Sequence, residues 1–451
     1  MIKYLAVITL FFISISQQAQ ERVPWTLDSC ISYAQEKNIQ INRSKLNMER
    51  VGQDELTAKA SLAPSLNASF NQGFNFGQSL DPFTNTFATD RVQYGNYGAN
   101  LSFDFFRGLS KIKEVKRSQA DYTVQQLETQ RLINDISLNV ATGYLQILFQ
   151  KELLAVATEQ LEISEMQMER IQILYEAGQV PNSDYLDIIS QVASNELTRV
   201  QAENDLLLSY VSLVQLMQLP VELQSTFDIV VPDLEVYQDM DLLITPGEVY
   251  RAALDVMPEV KRDRESIKRN ELNMQVVKGN YWPSLTFSAG AGSGYSGKNL
   301  SDPTDPTSAV KSWGDQFTDN LNYRTDIGLR IPIFNGLQVR TSTQKAEIAI
   351  REASYNLAET KNNLEQSIQK AYYDALAAKQ KYLASITAVE SLSESFTYSE
   401  IRYEEGVINQ VEYNQTKTTL TKAQSDLVQA KFDYIFRLKI LDFYQGKPLE
   451  L

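Results

Sequence analysis

Histidine is absent from this chain of 451 residues, and cysteine occurs once, at Cys30. Without imidazole, the usual Ser-His and Cys-His nucleophilic sites and His-ligated metal centres are excluded. A lone thiol cannot form an internal disulfide. Basic charge is also short: 42 Lys and Arg stand against 56 Asp and Glu, a net charge of −14, which disfavours nucleic acid as a partner because phosphate neutralisation needs cations. Long apolar runs are missing too, since no segment reaches the 18 or so consecutive apolar residues of a membrane-spanning helix. Any catalysis would rest on carboxylates, and no pair of them sits in a pocket-forming context. An enzyme, a cofactor and a metal site are therefore not expected.

What is present is a duplication. Lys59, Pro64, Ser65 and Leu66 recur as Lys278, Pro283, Ser284 and Leu285, at a constant offset of 219. Further on the offset becomes 228: Phe106, Gly108 and Leu109 recur as Phe334, Gly336 and Leu337, Tyr144 as Tyr372, and Pro220 as Pro448. In the same register Tyr175-Glu176-Ala177-Gly178 returns as Tyr403-Glu404-Glu405-Gly406, and Asp184-Tyr185 as Glu412-Tyr413. The extra residues of the second copy fall between Leu285 and Leu329, which predicts a tolerant loop there. The expected organisation is a signal segment at 1–19, a first repeat at 20–220, a connection at 221–246 and a second repeat at 247–451.

The signal reading rests on Lys3, an apolar stretch from Tyr4 to Ile15 and the small residues Ser16 and Ala19, either of which suits cleavage. Cys30 follows Leu27-Asp28-Ser29, which faintly resembles a lipid-attachment site, but Asp28 is wrong for one. Cys30 reads instead as a small residue packed in a helix over Leu27–Lys37.

After each Pro-Ser-Leu the hydrophobic period changes to two. Leu66, Ala68, Phe70, Phe74 and Phe76 alternate with polar residues, and so do Tyr97, Ala99, Leu101, Phe103 and Phe105. In the second copy the apolar sets are Leu285, Phe287, Ala289 and Ala291, then Tyr323, Thr325, Ile327, Leu329, Ile331 and Ile333. Each strand approaches the length of a tilted membrane strand, and the opposite faces are rich in Gly and Asn rather than charge. A soluble antiparallel sheet remains the alternative. Four strands cannot close a membrane barrel, so a membrane reading requires oligomerisation.

The remainder is helical. Between Leu109 and Ala177 the only breaker is Gly143, and between Leu337 and Glu405 there is none. Each stretch turns at its Tyr-Glu-x-Gly and returns, through 182–219 and 407–445. Leu420, Ala423, Leu427, Ala430, Tyr434 and Leu441 mark a heptad seam, and Ala346, Ile350, Ala353, Leu357, Leu364 and Ala371 another.

Helix, strand pair and long helical hairpin, all in two copies, resemble the TolC family of outer-membrane efflux proteins. The residues that carry this are the Pro-Ser-Leu entries, the Phe-x-Gly-Leu exits and the tips at Gly178 and Gly406. The resemblance implies a mostly helical fold with membrane β-structure, in which a homotrimer gives four strands per protomer to one twelve-stranded β-barrel and its antiparallel coiled coils form an α-barrel through the periplasm. It implies an exit duct, of the unacylated branch, that docks to a periplasmic adaptor and an inner-membrane transporter of RND or ABC type. It implies outer-membrane lipid as the surrounding medium, with Asp104, Arg324, Asp326 and Arg330 facing the barrel lumen. The entrance gate is implied at Tyr403, Glu412, Tyr413, Asp184, Tyr185 and Asp187, with Glu412 repeated as a three-carboxylate ring. Adaptor docking is implied at Gly178, Gln179, Val180, Gly406, Val407 and Ile408, as exposed residues beside a glycine turn. Related channels carry a basic residue where this chain has Ile408, and often an acidic one at Gln415, so the usual salt-bridge lock is not expected in its usual form. Two other readings stay open, a passive porin-like trimer and a periplasmic coiled-coil scaffold.

Overall fold

The computed structural model describes residues 23–81, 85, 87, 88, 91–232, 245–305 and 307–449. The expected signal segment and residues 233–244 of the expected connection lie outside them. The described elements begin with β1 (Val23–Trp25), α1 (Leu27–Lys37), α2 (Ile39–Ala60), β2 (Ser65–Asn75), β3 (Ser79–Leu80), β4 (Phe87–Ala88) and β5 (Val92–Arg107). They continue with α3 (Ser110–Glu176), α4 (Asn182–Met217), α5 (Val221–Gln224), β6 (Phe227–Ile229), α6 (Pro246–Val256) and α7 (Pro258–Lys278). Last come β7 (Ser284–Ser296), α8 (Trp313–Asp319), β8 (Asn322–Arg330), α9 (Gln338–Glu404) and α10 (Gln410–Tyr444). No helix among the described residues is long and apolar enough to cross a membrane.

Contacts group the chain into two units that each draw on both repeats. One holds the described residues up to Arg43, Gln130–Met257 and those from Asn363 onward; the other holds Ser44–Thr129 and Pro258–Asn362.

In the first unit, α1 starts where Thr26 accepts from the Ser29 backbone N–H, and it buries Leu27, Cys30, Ile31 and Ala34. These pack with Val140, Tyr144 and Leu148 of α3, Leu213 and Met217 of α4, and Phe227 and Ile229 of β6. Cys30 is fully buried, and that burial pushes its thiol up to about 12, so it is an inert packing residue. β1 and β6 pair in parallel, and the buried Tyr144 hydroxyl lies 2.6 Å from the Val230 carbonyl and 3.1 Å from that of Trp25. One side chain thus ties the helix to both segments of the small sheet. The seam expected on the second hairpin is real: Ala378, Tyr382, Ala430 and Tyr434 are buried together, and Ala371, Ala375 and Leu441 form the next cluster along.

The second unit is built on an antiparallel sheet of order β2-β5-β7-β8. Its register sets Leu66 opposite Leu101, Ala68 opposite Ala99 and Phe70 opposite Tyr97, so the alternating apolar residues share one face. The other face carries Asn67, Asn100 and Gly290 in one row, and Thr286 with Asp104 and Gly328 in another. β2 and β8 are open edges, exposed along nearly their whole length.

Three expectations are corrected. β8 ends at Arg330 rather than running to Ile333, because its partner begins at Ser284, opposite Arg330, and Ile331 has nothing to pair with. The return helix of the second hairpin begins at Gln410 rather than Val407, the intervening residues being used by the turn and its cap. The segment carrying the extra residues is partly folded rather than a plain loop: α8 lies against β7, and the amide of Gln316 meets the Ser296 N–H at 2.9 Å and its carbonyl at 3.0 Å. Asn320 donates to the Gly294 carbonyl at 2.8 Å, so side-chain amides satisfy the edge of β7 beyond Gly292, where β8 no longer reaches.

Tyr144→Phe should cost about 1–3 kcal/mol, the range for leaving buried acceptors without their donor, read as a lower thermal midpoint. Its counterpart Tyr372, which makes no side-chain hydrogen bond among the described residues, should tolerate the same change with little effect.

Candidate functional site

The two hairpin tips are built alike. Each helix ends in a glycine at φ +70, Gly178 or Gly406, a conformation that a Cβ would strain. In the first tip Gln179 N–H reaches the Leu174 carbonyl at 2.8 Å, and in the second Val407 N–H reaches that of Arg402 at 2.8 Å. These are the closing bonds of a Schellman turn. Across each tip the equivalent tyrosines stack: Tyr175 on Tyr185 at 5.1 Å, and Tyr403 on Tyr413 at 4.8 Å. Asp184 and Glu412 occupy the first turns of α4 and α10, where negative charge favours the helix dipole.

The tips then diverge. Asn409 caps α10 by accepting from the Glu412 N–H at 2.9 Å, while Pro181 offers α4 no side-chain cap. Tyr403 donates to the Gln410 side chain. Tyr413 is buried, and Gln167 of α3 donates to its hydroxyl. The same Gln167 amide accepts from Lys417 Nζ at 3.5 Å, one helical turn along α10. Alongside, Arg170 of α3 pairs with Glu404 of α9 at 3.0 Å. Residues of α3, α9 and α10 thus meet around one small crevice of ≈ 70 Å³.

Magnitudes rank these contacts. Arg170 and Glu404 are each about half exposed, and such pairs contribute roughly 0–1 kcal/mol. The contacts of Gln167 with Tyr413 and Lys417 are shielded from water, so breaking them leaves buried polar groups unmet. Burial pushes the Tyr413 hydroxyl up to about 12, with the Glu400 charge adding to it. Burial also raises Tyr403, next the Asp184 charge, with Arg170 opposing. Lys417 is pushed down to about 8 by burial, with the Glu400 charge opposing.

Of the residues implied by the resemblance, Tyr403 and Tyr413 join this cluster. Tyr185 stays with Tyr175 on the other tip. Asp184 accepts from Ser183 at 3.0 Å and reaches Tyr403 only through its charge. Glu412 is exposed and lies 3.9 Å from Arg402, a basic partner on α9 rather than at the Ile408 position. Asp187 is exposed and apart from the cluster. Gln179 and Val407 are exposed and Val180 is half-buried, but Ile408 is buried at 7%, which corrects its expected exposure: an apolar side chain in the turn is withdrawn from water. Asp104, Arg324, Asp326 and Arg330 all fall on the polar face of the sheet. No cluster of acidic residues or cysteine set to hold a metal occurs among the described residues.

Gln167, Arg170 and Lys417 carried no signal in the sequence. On a long helix a Gln or Lys reads as a solvated position, and their partners lie some 230–250 positions away in the chain.

The depressed lysine has a signed consequence. Between about 8 and the ordinary lysine value the unfolded chain binds the proton that the folded chain has lost, so folding gains stability as pH rises through that window. The thermal midpoint of Lys417→Met relative to wild type should therefore fall between pH 7 and pH 10, because only the wild type gains from that window.

Comparison with known proteins agrees with this architecture. The family model described as outer membrane efflux protein matches residues 30–217 and 249–444. The chain is 21% identical over 398 residues to the alkaline protease secretion protein AprF of Pseudomonas aeruginosa, covering 86% of this chain and 77% of that one. It is 22% identical over 407 residues to outer membrane protein TolC of Vibrio cholerae, covering 86% and 83%. Among solved structures, CusC matches with a TM-score of 0.77 at 15% identity, covering 96% of both chains. The duplicated hairpins and the match over both repeats place the chain in the outer membrane efflux protein family, as a TolC-like protein of the outer membrane that extends into the periplasm.

Proposed function

We propose that three copies of this chain close their sheets into one twelve-stranded barrel, continue it as a helical tunnel through the periplasm, and serve as the exit duct of a tripartite efflux or type I secretion system. The observation that carries this is the sheet. Its two edges are open, and Leu66, Phe70, Ile327 and Leu329 on its apolar face are between 62% and 77% exposed. An apolar surface of that kind needs lipid against it, and in lipid the open edges need other strands. One relative is named for protease secretion, and the CusC structure is described as bearing on transmembrane channel formation; both accord with a duct.

The narrow entrance of this duct is the region of the tips. The contact of Gln167 with Tyr413 and Lys417, backed by Tyr403 and the Arg170–Glu404 pair, holds the second hairpin against the first in the closed state. It takes the place of a lock that Ile408 cannot supply. Glu412, repeated by three copies, gives a carboxylate ring that draws cations, with Asp184 and Asp187 adding negative charge nearby. A periplasmic adaptor docks on the exposed tip residues Gly178, Gln179, Gly406 and Val407, with Val180 at the edge of the contact, and an inner-membrane transporter of RND or ABC type drives the cargo.

Trimers reconstituted in a planar bilayer should conduct poorly in the wild type. Gln167→Ala combined with Arg170→Ala should raise conductance several-fold, and Glu412→Gln should weaken cation selectivity; no change in either variant would sink the gate. A cysteine at Gln179 or Val407 should crosslink to a co-expressed adaptor, and the absence of an adduct at both positions would move docking elsewhere.

A further inference from the structure

The polar face of the sheet is almost entirely amide, hydroxyl and glycine, so its charges can be followed one by one. Asp104 is held by Lys111 at 2.9 Å, and Arg324 lies 3.3 Å from Asp326. Two guanidiniums are left over. Arg107 and Arg330 flank Ser284 in the ladder, one on β5 and one on β8, and neither side chain has an ion pair or hydrogen bond among the described residues.

Arg107 reaches this face only because the ladder is broken. Along β5 the odd positions Tyr97, Ala99, Leu101 and Phe103 are apolar, and strict alternation would carry Arg107 with them. The register instead shifts between Asp104 and Phe106, so that Phe106 pairs with Leu285 and Arg107 with Ser284. The single extra residue of this bulge, Phe105, flips Arg107 to the polar side. Its Cα stands roughly 10 Å from that of Arg330, two strand spacings away, within reach of two long side chains converging on one ligand.

Both arginines line a cleft of ≈ 660 Å³ that also includes Ser284, Thr286 and the indole of Trp282, which is 63% exposed. We propose that this cleft is an anion-binding site for an organic anion with a planar or tetrahedral oxyanion head and an aromatic body. Two unpaired guanidinium forks on one side of a sheet repel each other, and an oxyanion between them relieves that repulsion while taking their N–H donors in pairs. Asp104 cannot do this internally, because Lys111 already holds it. Trp282 supplies a flat surface for the body of the ligand and favours an aromatic anion over a bare inorganic one. The residues all come from one chain. The position of the site in the path of the cargo rests on the proposed function, whereas its binding chemistry does not; the same chemistry on a lipid phosphate is the competing source.

Calorimetry on the full-length protein in non-ionic detergent tests the site without requiring conduction. The probes are naphthalene-2-sulfonate, inorganic sulfate, neutral naphthalene-2-methanol and short-chain phosphatidylglycerol. Naphthalene-2-sulfonate should bind, and Arg107→Gln with Arg330→Gln should weaken it at least tenfold. Arg324→Gln, removing a paired arginine of the same face, should change it less than twofold. Trp282→Ala should weaken the aromatic sulfonate and leave sulfate unaffected. Unchanged affinity in the double variant, equal binding of the neutral alcohol, or binding confined to phosphatidylglycerol would each overturn the proposal. A Gln167→Ala, Arg170→Ala variant that binds but does not conduct overturns the duct; one that conducts but does not bind overturns the cleft.

Discussion

Backbone groups at a sheet edge must find partners, and the demand is far stricter in hydrocarbon than in water. In lipid each unmet N–H or carbonyl costs several kcal/mol, whereas in water the solvent meets it. This chain carries a four-stranded sheet with an exposed apolar face and two open edges. The proposed assembly of three copies answers that constraint, and the long hairpins of the three chains then supply the wall of the tunnel. The same demand is met on a small scale within the chain, where Gln316 and Asn320 satisfy the part of β7 that β8 does not reach.

The two repeats share their hairpin architecture and differ in detail at the tips. The tips share the Schellman turn and the stacked tyrosine pair. They differ in what surrounds those tyrosines: Tyr185 is half-buried, while its counterpart Tyr413 is buried against Gln167. A buried phenol joined to an amide and a desolvated lysine has groups that cannot be exposed to solvent independently of one another. This coupling makes the second tip a candidate for two discrete arrangements rather than a gradual loosening.

Much of the fold was legible because its signals are local. Alternation at Leu66–Phe76 marked a strand, heptad spacing from Leu420 to Leu441 marked a seam, and glycine after Tyr-Glu-x marked a turn. The cluster at the tips was legible only in part. Tyr403 and Tyr413 stand beside a recognisable turn, but Gln167 and Lys417 look like any solvated polar residue until the helices are brought together. Ile408 misled for the same reason, since an apolar residue next to a turn reads as exposed until the turn is seen to tuck it inside.

The sequence by itself determined the duplication, the strand faces, the helical seams and the hairpin turns, because each depends on the spacing of residues a few positions apart. Only the tertiary structure decided which polar residues are buried, which ion pairs join distant helices, and that a one-residue bulge places Arg107 beside Arg330. Those outcomes depend on register and on contacts between remote segments, and a shift of one position reverses the face of every side chain beyond it.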